Sequence, residues 1–162
     1  MHYLTGIIIE SKDELTNQEA RDRAREILDE FEYRVWDWYD DSPGRWSGEY
    51  GEGVFKATNP MFHKVVKSLI DSQKAWYRVV TENLKDIDYY KKVYESGDTN
   101  GFPYQNAAWY LGYFAQCVSG EFTSDSYIFD AEKGTAFITN NMLEEYHDNP
   151  DIYYLVLFDV HN

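Results

Sequence analysis

The N-terminal part of the chain alternates between strand and helix patterns of apolar residues. Residues 2–9 are rich in β-branched and apolar side chains and predict a first strand. Apolar residues then recur at helical spacing over 17–30, after a Thr-x-x-Glu capping box, and predict a first helix. From Phe31 the period shortens toward two, which predicts a second strand that ends in a turn. A third strand or extended segment is expected from Arg45.

The middle of the chain has the hydrophobic repeat of helices. Asn59 and Pro60 form a strong helix start, with Asn as the cap and Pro at the first helical position. The apolar repeat that follows predicts one long helix over 60–95, or two helices in series. A shorter helix is expected over 107–118.

The C-terminal part returns to strand patterns. Residues 127–129 and 136–138 flank a turn that contains Gly134 and predict a β-hairpin. A short helix is expected over 142–147. The last strand, 152–160, is apolar on both faces, which is typical of a strand in the middle of a sheet.

The predicted order of elements is β-α-β-β-α-α-β-β-α-β. This order favours an α+β fold in which the helices pack on one face of a mostly antiparallel sheet. We expect residues 1–162 to form a single domain, because the chain has the length of one and contains no linker or low-complexity tract.

The cellular location is expected to be the cytoplasm. Cys117 is the single cysteine, so it cannot form an internal disulfide, and this indicates a reducing compartment. The first apolar run is too short for a signal peptide. The longest uncharged stretch, residues 99–120, is too polar to span a membrane.

Charge restricts the class of partner. The formal net charge is -14, and the acidic residues are concentrated in the two flanks of the chain. Residues 1–56 hold 14 acids and 7 bases, residues 57–100 hold 6 and 7, and residues 101–162 hold 9 and 1. Binding to nucleic acid or to an anionic membrane relies on Lys and Arg, so we expect neither.

No familiar catalytic motif is present. The chain contains no Gly-rich phosphate loop, no His-Glu-x-x-His, no Cys-x-x-Cys and no Gly-x-Ser-x-Gly. Glu144 and His147 have the i, i+3 spacing of carboxylate metal sites, but such sites need a second pair. The sequence therefore predicts no catalytic residue, no metal and no cofactor.

Histidines offer one further route to acid–base chemistry. The chain has four of them, on elements that the sequence alone does not bring together: His2, His63, His147 and His161. Asp159 and His161 lie two residues apart in the last strand and so share a face, where a carboxylate could orient an imidazole.

The most unusual segment is residues 36–48, in which Trp, Tyr, Asp and Arg are interleaved. In a structural interpretation, Trp36 or Trp38 fills the core, while Arg45 stacks on Trp46 and pairs with an aspartate. In a functional interpretation, the segment is an exposed acidic and aromatic surface that binds a basic partner. The candidate binding residues are Trp36, Asp37, Trp38, Tyr39, Asp40, Asp41, Arg45 and Trp46.

The run Trp-Asp-Trp-Tyr, a turn and Gly-Arg-Trp-Ser-Gly, together with the final Phe-Asp-Val-His, resembles motifs of small phage and prophage proteins of mostly unassigned function. Those proteins carry Gly-Gly-Arg-Trp where this chain has Pro43 and Gly44 before Arg45 and Trp46. The resemblance covers the two motifs only. It implies a phage origin, and hence the cytoplasm of a host cell, but no reaction.

These observations lead to a functional hypothesis with alternatives. The first is a non-enzymatic, anti-CRISPR-like inhibitor that occupies a basic surface of a host nucleic-acid-handling defence protein. An immunity protein against a nuclease toxin would have the same features. Another alternative is a small enzyme or ligand-binding protein, in which Arg45 binds an anion. A structural accessory protein or a homodimer remains open as well.

Overall fold

The computed structural model describes residues 2–30, 38–83, 87–97 and 126–161, with residues 105, 107, 108, 111 and 112. The strands in this part of the chain are His2–Glu10 (β1), Trp38–Asp40 (β2), Val54–Lys56 (β3), Ser126–Asp130 (β4) and Tyr153–His161 (β5). The helices there are Asn17–Asp29 (α1), Ser47–Tyr50 (α2), Pro60–Asn83 (α3), Ile87–Glu95 (α4) and Asn140–Asp148 (α5). A 3-10 helix, Gly44–Trp46, precedes α2. The predicted α+β class is confirmed.

The five strands form one mixed sheet with the order β2-β5-β1-β4, and β3 also pairs with β5. The β1–β4 pair is parallel, whereas β1, β2 and β3 all run antiparallel to β5. The sheet is therefore mostly antiparallel, as predicted. Every residue of β5 from Tyr153 to Val160 is buried, so the last strand is central, as its apolar pattern indicated.

The helices lie on both faces of the sheet, and the predicted arrangement on one face is wrong. Alternate residues of β5 belong to two separate clusters of the core. Leu155 and Leu157 pack with α3 and α5, whereas Val156 and Phe158 pack with α1. Because successive side chains of a strand point to opposite faces, the two groups of helices cover opposite faces.

Local signals at helix starts are confirmed. Thr16 and Glu19 form the predicted capping box of α1. The side chain of Asn59 accepts the backbone N–H of Met61 at 2.9 Å, and α3 begins at Pro60. The region 60–95 contains two helices, α3 and α4. The candidate helix over 107–118 lies mostly outside the described residues.

Two predicted strands are wrong. The segment from Arg45 forms the 3-10 helix and α2, and the strand lies further along the chain, at β3. Residues 136–138 are not a strand: β4 pairs in parallel with β1, and the predicted hairpin is reduced to an isolated bridge between Asp130 and Thr135. The predicted turn is present, with φ of 61° at Gly134.

Among the described helices, none combines the length and the apolar character needed to cross a membrane.

Candidate functional site

The connection between β2 and β3, residues 41–53, lies along the edge of β5. β2 pairs with the last three residues of β5, and β3 pairs with residues 154–156. Between these ladders, the backbone N–H of Asp159 donates to the carbonyl of Ser42 at 2.9 Å, and that of Leu157 donates to the carbonyl of Gly53 at 2.8 Å. The unusual segment is thereby fixed beside the C-terminal half of β5.

Strand register brings both ends of the chain to the same place. His2 of β1 is paired with His161 of β5, and Trp38 of β2 is paired with His161 from the other side. Asp159 lies two residues earlier on β5, so its side chain points to the same face as that of His161. Five residues therefore form one group, which we call the Asp159 cluster: His2, Trp38, Arg45, Asp159 and His161.

Asp159 lies at the centre of this cluster and is only 4% exposed. Its Oδ1 accepts a hydrogen bond from Nδ1 of His2 at 2.8 Å. Its Oδ2 accepts the backbone N–H of Arg45 at 3.2 Å and lies 3.6 Å from Nε of the same arginine. A buried carboxylate needs partners of this kind, because an isolated buried charge is strongly unfavourable.

The contact with Asp159 determines which nitrogen of His2 is available. A carboxylate only accepts hydrogen bonds, so Nδ1 of His2 carries the proton that points to Asp159. Nε2 then faces away from the carboxylate and is the ring nitrogen with a lone pair that can accept a hydrogen bond. The His2 side chain is 24% exposed, so this atom lies near solvent.

Aromatic contacts hold the other members of the cluster. The rings of Trp38 and His161 are stacked, with centroids 5.0 Å apart and an angle of 12° between their planes. His2 meets both rings edge-on, at 5.3 Å from Trp38 and 5.1 Å from His161. The cluster thus contains two imidazoles and an indole in mutual contact.

Arg45 is positioned from two sides and still reaches solvent. Its guanidinium lies 5.7 Å from the centroid of the Trp46 ring and beside Asp159. The sequence predicted both contacts, and both are confirmed. The Arg45 side chain is 54% exposed, so a cationic group is presented at the surface next to Asp159.

α1 holds the β2–β3 connection from the opposite face. The buried guanidinium of Arg21 donates to the carbonyl oxygens of Leu157, at 3.1 Å, and Glu52. Burial lowers the pKa of Arg21, and the negative charge of Asp41 opposes this shift. The same side chain lies over the ring of Phe158, with 5.4 Å to the centroid.

Several predicted binding residues make contacts within the molecule. Asp41 forms an ion pair with Arg25 of α1. The hydroxyl of Tyr39 donates to Asp29 at 2.6 Å, and burial raises the pKa of that tyrosine. Asp40 accepts the hydroxyl of Ser42 at 2.8 Å. The two acidic side chains that the structure describes in this segment, Asp40 and Asp41, are thus already used in positioning the connection.

The tryptophans occupy different environments. Trp38 is 47% exposed and does not fill the core, whereas Trp46 is partly buried against the core cluster that contains α3. Trp36 and Asp37 lie outside the described residues.

Within the described ranges, no group of three or more His, Cys, Asp or Glu side chains could hold a metal ion. His147 contacts His63, at 5.2 Å between ring centroids.

Sequence reasoning identified Arg45, Asp159 and His161 as candidates but did not connect His2 with them. Residues 2 and 159 are joined by strand pairing, and a single sequence contains no local signal for that register. Only the assumption that the first and last strands pair antiparallel would have placed His2 beside Asp159.

Comparisons of the chain with protein-family models, with curated proteins and with solved structures gave no match, so the functional assignment depends on the geometry of the Asp159 cluster.

Proposed function

We propose that this protein is a small enzyme that hydrolyses a low-molecular-weight phosphate ester at the Asp159 cluster. The observation that carries the proposal is the contact of one buried carboxylate with both His2 and Arg45. In this arrangement, an oriented imidazole and an exposed guanidinium contact the two oxygens of one carboxylate. These are the groups that acid–base catalysis on an anionic substrate requires.

Each residue has a distinct role. Nε2 of His2 accepts a proton from the attacking water, and Asp159 is a positioning residue that holds the imidazole in the required tautomer. The guanidinium of Arg45 binds the phosphoryl oxygens, for which its planar fork of donors is well suited. Trp38 presents a half-exposed ring on which a planar group of the substrate can stack.

The proposed reaction is hydrolysis of one P–O bond. The oxygen of water bonds to phosphorus, while the bond to the alkoxide leaving group breaks with its electron pair. His2 takes the proton from water, and His161, 5.1 Å away between ring centroids, supplies a proton to the leaving oxygen. The products are an alcohol and the phosphate.

Molecular charge favours a small substrate over a polymer. At a formal net charge of -14, the long-range field of the protein repels a polyanion such as nucleic acid. A small phosphate ester has few charges, and local contacts with Arg45 can offset this repulsion at short range.

The test is a hydrolysis assay with nucleoside monophosphates, cyclic nucleotides and p-nitrophenyl phosphate esters. Substitution His2→Gln should lower kcat by about 100-fold or more, because an acid–base group contributes about that much. Arg45→Gln should mainly raise KM, whereas Arg23→Gln, an exposed arginine of α1, should change neither value. If no ester in the panel is bound or hydrolysed, the proposal is wrong.

A second candidate is the phage-encoded inhibitor that binds a basic surface of a host defence protein. It is supported by the half-exposed Trp38, which lies next to Asp40 on an acidic molecule. A pull-down from host lysate at physiological salt tests it. The Asp40→Lys variant should lose the partner, whereas His2→Gln should keep it. Unchanged retention by Asp40→Lys would exclude this surface as the interface.

A further inference from the structure

A cavity lies between α3 and α5, on the face of the sheet that these helices cover. Its volume is about 820 Å³, which is within the usual range for small-molecule sites. The described residues that line it include apolar side chains from both helices and their flanks: Ala57, Pro60, Ile70, Leu143 and Pro150. We call this cavity the α3–α5 groove.

One end of the groove, which we call the polar end, contains two histidines. His63 and His147, on the facing helices, are in ring contact at 5.2 Å between centroids. Nε2 of His63 lies 2.9 Å from the carbonyl oxygen of Ala57, so this nitrogen carries the proton and Nδ1 is the second polar atom of the ring. Lys67 follows one turn later on α3 and also lines the groove.

Beyond the polar end, the groove is lined by apolar residues and by the ion pair of Lys67 with Asp71. Ile70 lies two turns of α3 beyond His63, a distance of about 10 Å along the axis. Leu143 lies one turn before His147 on α5, and it packs against the same core cluster as Ile70. The first turn of α3 is next to the polar end, where the partial positive charge of a helix N-terminus favours an anion.

We propose that the α3–α5 groove binds a small amphipathic carboxylate, with its head group at His63, Lys67 and His147 and its apolar part along Ile70 and Leu143. Charge complementarity supports an anionic occupant, because three lining side chains (His63, Lys67 and His147) can donate hydrogen bonds to a carboxylate, against one acid, Asp71. The apolar lining supports a hydrocarbon body rather than a fully polar ligand.

This site is separate from the Asp159 cluster. The backbone N–H of Ala57 donates to the carbonyl of Tyr153, which places the groove beside the start of β5. Asp159 lies six residues further along that strand, about 20 Å away. The proposal for the groove therefore does not depend on the proposed hydrolytic activity.

Substitution of Asp71 should strengthen the binding of a carboxylate, whereas substitution of Lys67 should weaken it. Asp71 lines the groove and forms an i, i+4 ion pair with Lys67, so it competes with an incoming carboxylate for that lysine. Lys91 and Glu95 form a similar i, i+4 pair on α4 and provide a matched control.

The experiment is calorimetric titration of the full chain with decanoate, and with decanol as a neutral probe of the same length. Decanoate should bind with one-to-one stoichiometry and more tightly than decanol. Lys67→Gln should weaken decanoate binding by about tenfold, which corresponds to 1.4 kcal/mol, and Asp71→Asn should strengthen it. Lys91→Gln should change nothing.

NMR on the same samples tests where decanoate binds. Addition of decanoate should shift the side-chain resonances of His63 and Leu143, whereas those of His2 and His161 should stay in place. Absence of decanoate binding, equal affinity for decanol, or shifts confined to the Asp159 cluster would each overturn the proposal.

Discussion

Gly44 occupies a position where no side chain fits. A Cβ atom at this residue would lie 2.3 Å from Oδ2 of Asp159, and the backbone φ of 51° is in the region that favours glycine. Arg45 can place its backbone N–H on the same carboxylate because the chain passes so close. The close contact of the chain with Asp159 therefore requires glycine at position 44.

Replacement of Gly44 should therefore damage both stability and the cluster. Gly44→Ala adds a steric clash to backbone strain, whereas Gly51→Ala, with φ of 57° and no atom within 4 Å of the added Cβ, adds strain alone. We expect a loss of about 1–3 kcal/mol for Gly51→Ala and about 1–3 kcal/mol more for Gly44→Ala. Urea unfolding measures this difference. Equal losses in the two variants would contradict the predicted clash.

Tyr146 lies in a buried polar contact far from the cluster. Its side chain is fully buried, and its hydroxyl donates to Asp130, which is 1% exposed. Burial raises the pKa of Tyr146, and the contact with Asp130 raises it further. The folded state therefore keeps this proton at a pH where the unfolded chain loses it.

The consequence is a loss of stability in alkaline solution. The pKa of Tyr146 is higher in the folded state than in the unfolded chain. Its contribution to the free energy of unfolding is therefore complete below about pH 10 and declines above that value by about 1.4 kcal/mol per pH unit. Tyr146→Phe should be less stable at pH 8 and should show a shallower decline between pH 10 and 11. Tyr89→Phe, at an exposed tyrosine, is the control. Parallel curves for wild type and Tyr146→Phe would exclude this linkage.

At the level of elements, α1 supports the site from the face of the sheet opposite to α3 and α5. Its buried Arg21 donates to carbonyl oxygens on β5 and on the β2–β3 connection. Its Arg25 forms an ion pair with Asp41, which lies at the start of that connection. The helix thereby fixes a segment that contains little regular structure of its own.

Arg21→Met should for this reason be strongly destabilising. The substitution leaves the carbonyl oxygens of Leu157 and Glu52 without their guanidinium donors, and we expect a loss of about 2–4 kcal/mol. Arg23→Met, at an exposed position on the same helix, should change the free energy of unfolding by about 0.5 kcal/mol or less. Thermal unfolding followed by circular dichroism compares the two variants. A small effect of Arg21→Met would show that water replaces its contacts.

Element prediction from sequence succeeded where the signal was local and failed where the partner was distant. The capping box at Thr16 and the start of α3 at Pro60 depend on neighbouring residues, and both are confirmed. The predicted hairpin over 127–138 is only an isolated bridge, and the strand partner of β4 is β1, more than 100 residues earlier in the chain. The apolar pattern of a strand does not specify which strand it joins.

For the molecule as a whole, the acidic charge makes a direct prediction about nucleic acid. Acids outnumber bases by 29 to 15, so few cations are available to displace the counterions of a phosphate backbone. Labelled duplex DNA should show no binding in fluorescence anisotropy at 50 mM salt, with any dissociation constant weaker than about 10⁻⁴ M. A basic protein of similar size serves as the positive control. Binding that weakens steeply with added salt would contradict the prediction.

The candidate site was predictable only in part. The sequence singled out Arg45 and Asp159 separately, because an Arg between glycine and tryptophan and an Asp-x-His at the end of an apolar strand are both unusual. It also led us to expect an aspartate partner for Arg45, but it did not select Asp159 among the acids of the chain. That choice depends on the short pairing of β2 with the end of β5.

What the sequence alone determined is local or summed over the chain: the helix caps, the buried central character of β5, and the acidity of the two flanks. The tertiary structure decided the contacts across long separations. It brought His2 to Asp159 and His63 to His147, and it placed α1 on the face opposite to α3. The physical reason is that strand register and helix packing are set by the burial of the whole core, which no local segment encodes.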